Sequence, residues 1–194
     1  MTFDSCIWSD YAGEAVNHFA NAYLIPDVAF IGCKFLGGGN LTNGISLQYN
    51  SSVRWQIVGC EFNGLTGAGI INSNGSQSNM FSVVKGNVFK SCANGFVVTQ
   101  NGGINYVIDG NYFESITGWC IDHSSVATLG NLYQVTFSNN VAGASVTNGF
   151  RIAVTTGAWD YCINTGNNWH NASGTKYTVS AGNANGYSAN NITV

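Results

Sequence analysis

The sequence predicts an all-β fold, a parallel β-helix of about seven coils with three strands per coil. Two observations carry this prediction. A motif of glycine, then cysteine or asparagine, then any residue, then an aromatic residue recurs along the chain, as in residues 59–62 (GCEF) and 110–113 (GNYF). Apolar residues also alternate with other residues just before each copy, which is the period of a strand with one buried face.

The cysteine or asparagine of each copy serves as a reference position, and consecutive copies lie 23 to 29 residues apart. The reference residues are Cys6, Cys33, Cys60, Asn87, Asn111, Asn140, Asn167 and Asn190. A constant core with variable spacing is typical of a solenoid whose flanking loops differ in length. Because one coil alone leaves its strand edges unpaired, we expect a single β-helix domain over residues 1–194, as a fragment of a longer chain.

Each coil is predicted to hold three strands, one before the reference position and two after it. The aromatic residue two positions after the reference, such as Phe62, faces the core. A glycine seven to eleven positions after the reference precedes another apolar residue, as Gly95 precedes Phe96 and Gly118 precedes Trp119. We expect this glycine to supply a bend with positive φ at the start of the third strand.

Composition and charge argue against several classes of function. Only 8% of the residues are charged, and the net charge is -3 with six Lys and Arg residues, so no basic stripe is available for nucleic acid. No apolar run approaches the roughly 20 residues that a membrane-spanning helix needs, so we expect no membrane insertion. No His, Cys and Asp cluster has metal-ligand spacing, and the sequence predicts neither a metal site nor a cofactor.

The six cysteines are predicted to be buried free thiols. Cys6, Cys33 and Cys60 are 27 residues apart at the reference position, so stacked coils would place them about 4.8 Å apart. Side chains stacked in register point parallel rather than toward each other, which disfavours a disulfide.

These repeats resemble the right-handed parallel β-helix of the pectin-lyase-like superfamily, which includes phage tailspikes. The resemblance covers residues 5 to about 193. It implies a right-handed helix in which Asn87, Asn111, Asn140 and Asn167 stack at a tight turn, where their amides bond to one another and to the backbone. The first three coils would stack thiols there instead. It also implies a homotrimer, on a virion or outside the cell.

Charged residues fall into opposite-sign pairs when the repeats are aligned. We interpret them as outward cross-strand pairs that fix the register of neighbouring coils more than they stabilise the fold. The four pairs are Asp27 with Arg54, Lys34 with Glu61, Lys85 with Asp109, and Lys90 with Glu114.

Asp122, His123 and Arg151 are the candidate catalytic residues. Asp122 and His123 follow a predicted strand at the start of a long connection, where sites tend to be built. Arg151, which belongs to the next coil, aligns with Cys120. Its side chain is predicted to face outward, as is that of Asp122. Such a group suits general acid or base chemistry, or the binding of an acidic sugar, and the alternative is an ordinary ion pair.

Trp159, Asp160 and Tyr161 are the candidate carbohydrate-binding residues. A tryptophan ring can stack on the apolar face of a sugar while a neighbouring carboxylate accepts hydrogen bonds from its hydroxyl groups. The alternative is a tryptophan that only covers the edge of a coil.

The resemblance and the polar, aromatic composition favour a tailspike-like domain that binds, and in one version degrades, a host cell-surface polysaccharide. Two alternatives stay open. One is a non-catalytic structural or adhesive shaft, which the charge pairing favours. The other is a secreted polysaccharide lyase or epimerase, in which a base removes a proton beside a uronate carboxylate while arginine holds that carboxylate.

Overall fold

The described part of this computed structural model is all-β and confirms the predicted fold class, a parallel β-helix. The structure describes residues 1–9, 12–19, 27–48, 54–72, 82–99, 106–123, 132–152, 159–160, 163–179, 187–189 and 191. For residues 17–19, 48, 132–133, 159–160 and 187–189 it describes the backbone alone.

The strands are short, and most have three to five residues because each spans one side of a coil. In chain order they are β1 (Thr2–Asp4), β2 (Ile7–Ser9), β3 (Gly13–Phe19), β4 (Val28–Ile31), β5 (Lys34–Leu36), β6 (Leu41–Gln48), β7 (Trp55–Val58), β8 (Glu61–Asn63), β9 (Ala68–Asn72), β10 (Val83–Lys85), β11 (Val88–Lys90), β12 (Asn94–Val98), β13 (Val107–Asp109), β14 (Tyr112–Glu114), β15 (Trp119–His123), β16 (Leu132–Tyr133), β17 (Thr136–Ser138), β18 (Val141–Ala142), β19 (Asn148–Ile152), β20 (Trp159–Asp160), β21 (Ile163–Thr165), β22 (Tyr177–Val179) and β23 (Tyr187–Ala189).

Three parallel sheets run along the helix, and neighbours within each sheet are one coil apart in sequence. Within the described residues, sheet A has the order β1-β4-β7-β10-β13-β17-β21-β23, sheet B the order β2-β5-β8-β11-β14-β18, and sheet C the order β3-β6-β9-β12-β15-β19-β22. A short fourth sheet pairs β16 with β20. Within the described residues, the strands of the inner coils therefore form backbone hydrogen bonds with the coils on either side.

The chain turns sharply between sheets A and B at the residue before each reference position. Five of these residues are glycines with φ between 59° and 66°, namely Gly32, Gly59, Gly86, Gly110 and Gly166. Glycine occupies this left-handed region at no steric cost, which explains why the motif begins with it. Ser5 and Asn139 take the same conformation with φ of 52° and 53°.

The reference asparagines form the predicted ladder just after this turn. Asn111 Nδ2 donates to Asn140 Oδ1 at 2.9 Å and to the Val84 carbonyl at 3.0 Å, and the Asn111 backbone N–H donates to the same Oδ1 at 3.1 Å. Because each buried amide satisfies the next, the stack leaves its own donors and acceptors paired.

The same three bonds recur at the other three asparagines of the ladder, Asn87, Asn140 and Asn167. Asn167 donates to Asn191 Oδ1 at 3.0 Å, so the ladder continues to Asn191. The expectation that Asn190 takes this place is wrong by one residue, since the last step between reference positions is longer than we expected.

The cysteines at the reference position substitute for the amides as hydrogen-bond donors. Cys60 Sγ contacts the Phe30 carbonyl at 3.4 Å, which is the carbonyl that an asparagine amide at that position would use. Free thiols are confirmed for Cys6, Cys33, Cys60, Cys92 and Cys120, whereas Cys162 lies outside the described residues. Cys6 is half-buried and the other four are buried. Burial raises the pKa of the Cys60 and Cys92 thiols to about 11.

Aromatic rings two positions after the reference stack along the core at the spacing of the coils. The stack consists of Trp8, Phe35, Phe62, Phe89 and Phe113, with ring centroids 4.8 to 4.9 Å apart and planes within 9° of parallel. Ala142 interrupts it one coil later, and the centroid of the Trp169 ring lies 6.3 Å from that of Phe113.

The glycine at the start of sheet C is needed for space, and our expectation of positive φ there is wrong for six of the seven glycines. The seven are Gly13, Gly44, Gly69, Gly95, Gly118, Gly149 and Gly174, and among them only Gly13 has positive φ, at 97°. A Cβ added to Gly69 would overlap the Phe89 ring of the next coil, and one added to Gly95 would overlap the Phe113 ring. At these two positions the absence of a side chain therefore makes room for the aromatic ring of the next coil.

Cys120 shows the reverse case. It takes the place of Gly95 in the register of sheet C, and the next coil carries Ala142 where the others carry an aromatic ring. Both side chains are fully buried. Where the next coil lacks the ring, the position in sheet C can therefore carry a side chain, and Cys120 occupies part of the space that the ring fills in the other coils.

Candidate functional site

Asp122 and Arg151 form a two-pronged ion pair on the outer face of sheet C. They are direct register partners on β15 and β19. Arg151 Nε donates to Asp122 Oδ1 at 2.8 Å, and Nη2 donates to Oδ2 at 2.6 Å. The Asp122 side chain is 9% exposed and the Arg151 side chain 31% exposed. The planar guanidinium donates to both carboxylate oxygens. Among the ion pairs whose acid is partly buried, this pair therefore has the most favourable hydrogen-bond geometry.

The expected alignment of Arg151 with Cys120 is wrong by two residues. The sequence alignment placed Trp119 beside Phe96, whereas the structure places Ile121 there. The reason is an alternation between coils that the motif does not show.

Successive coils enter sheet C in two different ways. Asparagine and glycine occur together at Asn43, Asn94 and Asn148, spaced 51 and 54 residues apart, which is two coils each. Each asparagine Oδ1 accepts the backbone N–H of its register partner in the next coil, from Ala68, Trp119 and Thr175 respectively, at 2.8 to 2.9 Å. The intervening coils carry a glycine one residue before that partner, because a Cβ there would overlap the asparagine.

Trp119 belongs to the same outer surface, although the sequence alignment made it equivalent to Phe96, which is buried. The Arg151 guanidinium carbon lies 4.6 Å from the centroid of the Trp119 ring, a cation–π contact. Trp119 is half-buried and lies in register between Asn94 and Asn148. The alternation of asparagine–glycine coils with glycine-only coils is the signal that would have found it.

His123 points away from this group and into the core. Successive residues of a strand face opposite sides, and the His123 side chain is completely buried while Asp122 faces Arg151. Neither ring nitrogen has a hydrogen-bond partner among the described residues. Burial lowers the pKa of His123 to about 4, against the opposing effects of its own backbone and of Asp122. The imidazole is therefore neutral at pH 7.

The three candidate catalytic residues are thus divided between two faces. Asp122 and Arg151 lie together outside, and His123 lies on the other side of the same strand. The backbones of Trp159 and Asp160 form β20, which pairs with Leu132 and Tyr133. Their side chains and Tyr161 lie outside the described residues, so sugar binding there stays a prediction.

All four charge pairs expected from the repeat alignment are confirmed. The distances between nitrogen and oxygen are 2.6 Å for Arg54–Asp27, 3.0 Å for Lys34–Glu61, 3.2 Å for Lys85–Asp109 and 3.7 Å for Lys90–Glu114. Asp109 has the richest surroundings: its partial burial acts to raise its pKa, but hydrogen bonds from Asn139 and Ser138 and the Lys85 ammonium outweigh this and lower the pKa below its usual value.

Within the described ranges, no group of three or more His, Cys, Asp or Glu side chains is placed to hold a metal ion. The same part of the chain contains no helix long and apolar enough to cross a membrane. The candidate site is a patch of indole, guanidinium and carboxylate on parallel sheet C, flanked by Asn94 and Asn148. No family model, curated protein or solved structure matches the chain, so comparison with known proteins assigns no family to it.

Proposed function

We propose that this chain is a tailspike-like β-helix domain of the pectin-lyase-like type that binds a polysaccharide of a host cell surface. The observation that carries the proposal is the outer patch of Trp119, Asp122 and Arg151 on sheet C. An indole offers a flat apolar face for a sugar ring, and the guanidinium and carboxylate offer donors and acceptors for hydroxyl groups. The rigid sheet holds these groups in place before a ligand arrives.

The chemistry of the described carboxylates supports binding more than cleavage. A glycosidase uses two carboxyl groups that face each other across the scissile bond, one of them with a raised pKa. Here the five acids between Asp27 and Asp122 each contact a cation of the neighbouring coil. A lyase or epimerase needs an arginine to hold the uronate, and Arg151 directs Nε and Nη2 at Asp122.

The resemblance of the repeats supports placing the domain on a virion or outside the cell, as a homotrimer. Ile31 and Ile163, both on sheet A, are apolar yet 40% and 42% exposed, which is consistent with a surface that meets another chain. Light scattering coupled to size-exclusion chromatography tests this proposal, and a monomer at micromolar concentration would contradict it.

A structural shaft is the second candidate, and the charge pairs favour it. Each of the five pairs joins one coil to the next on the outside, while the asparagine and aromatic stacks do the same inside. A rod that only carries other domains needs this continuity and no ligand site.

A binding experiment separates the two candidates. Wild-type protein, Trp119→Ala and Tyr112→Ala are titrated with a panel of bacterial cell-surface polysaccharides, and product is followed by reducing ends and by the absorbance of unsaturated sugars. Tyr112 is the matched control because it is an exposed aromatic residue on sheet B, away from the patch. Trp119→Ala is expected to weaken binding about 10-fold or more, as loss of one stacked ring does, and Tyr112→Ala to leave it unchanged.

If no polysaccharide binds the wild type, the shaft stands and the proposal falls. Equal weakening in both aromatic variants would place binding elsewhere than on the patch. Release of sugar by the wild type, with or without unsaturation, would show degradation in addition to binding.

A further inference from the structure

The charges of this protein cancel one by one along the body of the helix. Between residues 27 and 151 the sequence contains five acidic and five basic residues, leaving histidine aside. The structure describes all ten side chains and places each acid in an ion pair with a base of the adjacent coil, at 2.6 to 3.7 Å. No charged side chain in this stretch is left over.

The structure describes all six lysine and arginine side chains of the chain, so the partner of each can be stated. Five are in these pairs, and the sixth, Lys176, forms no ion pair with the described residues. The acids outside the stretch are Asp4, Asp10, Glu14 and Asp160. Asp4 accepts a hydrogen bond from Ser5 and Glu14 accepts one from Asn43. The surplus charge is therefore negative and lies outside the body.

Paired charges of opposite sign a few ångströms apart present only a short-range dipole to solvent. A polyanion such as a uronate-containing, sulfated or phosphorylated polysaccharide gains affinity from clustered free cations, and the strength of that attraction falls with added salt. Binding such a ligand here would require breaking a pair and leaving an acid beside the anionic ligand. The Arg151–Asp122 pair is the most protected, since Asp122 is largely buried.

An uncharged sugar avoids this conflict. Its hydroxyl groups accept from and donate to the polar groups of the patch without displacing the counter-charge of either partner. The outer column through Trp119 adds an indole and the amides of Asn94 and Asn148, which are neutral. Asp122 and Arg151 then act as one neutral, polar unit.

We propose that the polysaccharide bound by this domain is uncharged, carrying no carboxylate, sulfate or phosphate. This inference rests on the proposed function and adds the chemical class of the ligand. It predicts affinity that is nearly independent of ionic strength.

The test compares neutral polymers (dextran, mannan, galactan) with acidic ones (hyaluronan, alginate, polygalacturonate), each titrated onto the whole chain at two salt concentrations. Sodium chloride at about 10 mM and at about 150 mM changes the Debye length from about 30 Å to about 8 Å. We expect binding to one or more neutral polymers, with a Kd that changes less than about twofold between the two salts.

A charge variant tests the reasoning directly. Glu61→Gln removes the partner of Lys34, and Asn63→Gln is the control because it changes an amide on the same strand without altering charge. Glu61→Gln is expected to gain weak, salt-sensitive binding to the acidic polymers, and Asn63→Gln to gain none.

The outcomes distinguish the two levels. Tight, salt-sensitive binding of an acidic polymer by the wild type would overturn the inference and leave the proposed function standing. No gain in Glu61→Gln would show that charge pairing does not govern ligand choice, which also overturns it. If no polymer of either class binds, the proposed function and the inference fall together.

Discussion

His123 makes the stability of the fold depend on pH between about 4 and 6.5. The imidazole is fully buried, and burial lowers its pKa from 6.5 to about 4. In this window the unfolded chain binds a proton at His123 and the folded chain does not, so the free energy of unfolding falls as the pH falls. A difference of about 2.5 pKa units corresponds to about 3 kcal/mol once the pH is below 4, and to roughly 1 kcal/mol at pH 5.5.

The assay is urea denaturation at pH 7, 5.5 and 4.5, on wild type, His123→Leu and His170→Gln. Leucine suits the site because the register neighbour of His123 is Ile152. His170 is the control, since it is an exposed histidine. We expect wild type and His170→Gln to lose roughly 2 to 3 kcal/mol between pH 7 and pH 4.5, and His123→Leu to lose much less.

If the free energy of unfolding falls with pH by the same amount in wild type and in His123→Leu, the reasoning is refuted. Another group would then cause the pH dependence of stability. Asp109 also has a shifted pKa, but its window is different. Because its pKa is lowered from 3.8, it contributes stability that is present above that value and lost as the pH falls further. Its effect therefore begins where that of His123 ends.

Three further predictions follow from the stacks. Asn111→Leu should lower the free energy of unfolding by about 2 to 4 kcal/mol, since it leaves neighbouring buried groups without partners, whereas Asn63→Leu on the outer face should cost less than about 1 kcal/mol; equal urea midpoints would contradict the ladder. Alkylation of native protein followed by mass spectrometry should modify Cys6 before any of the four buried cysteines, which should react only after unfolding. Gly69→Ala should destabilise by about 1 to 3 kcal/mol because its methyl group meets the Phe89 ring, and an unchanged melting temperature would show that the ring has room to move.

The repeat predicted the fold because one short motif specifies both the turn and the core. In the motif at Gly59, Cys60 and Phe62, the first residue forms the turn and the other two are buried in the core. Because the motif recurs at similar spacing, a substitution in one coil does not obscure the pattern. The charge pairs were predictable for the same reason. Once Lys34 and Glu61 occupy equivalent positions, parallel pairing brings them side by side.

The site was predicted less well, because it depends on where the repeat deviates. Predicting that Asp122 pairs with Arg151 requires the register of sheet C to within one residue. Alignment on the glycine after the variable turn gave a register that was wrong by two residues. The contact between Trp119 and Arg151 depends on side-chain placement, which periodicity does not encode. The prediction for His123 was wrong because adjacent residues of a strand face opposite sides, so His123 faces the core while Asp122 faces Arg151.

The alternation of coils sets a rule for how such a protein can change in length. Asn43 and Asn94 are two coils apart, so excision of residues 44–94 joins an asparagine to Gly95 and restores the same dipeptide at the junction. Excision of one coil would instead bring two like coils together, with either two asparagines or two glycine-only entries facing each other. The helix is therefore expected to lengthen or shorten by duplication or loss of pairs of coils. A designed rod of different length should likewise gain or lose coils two at a time.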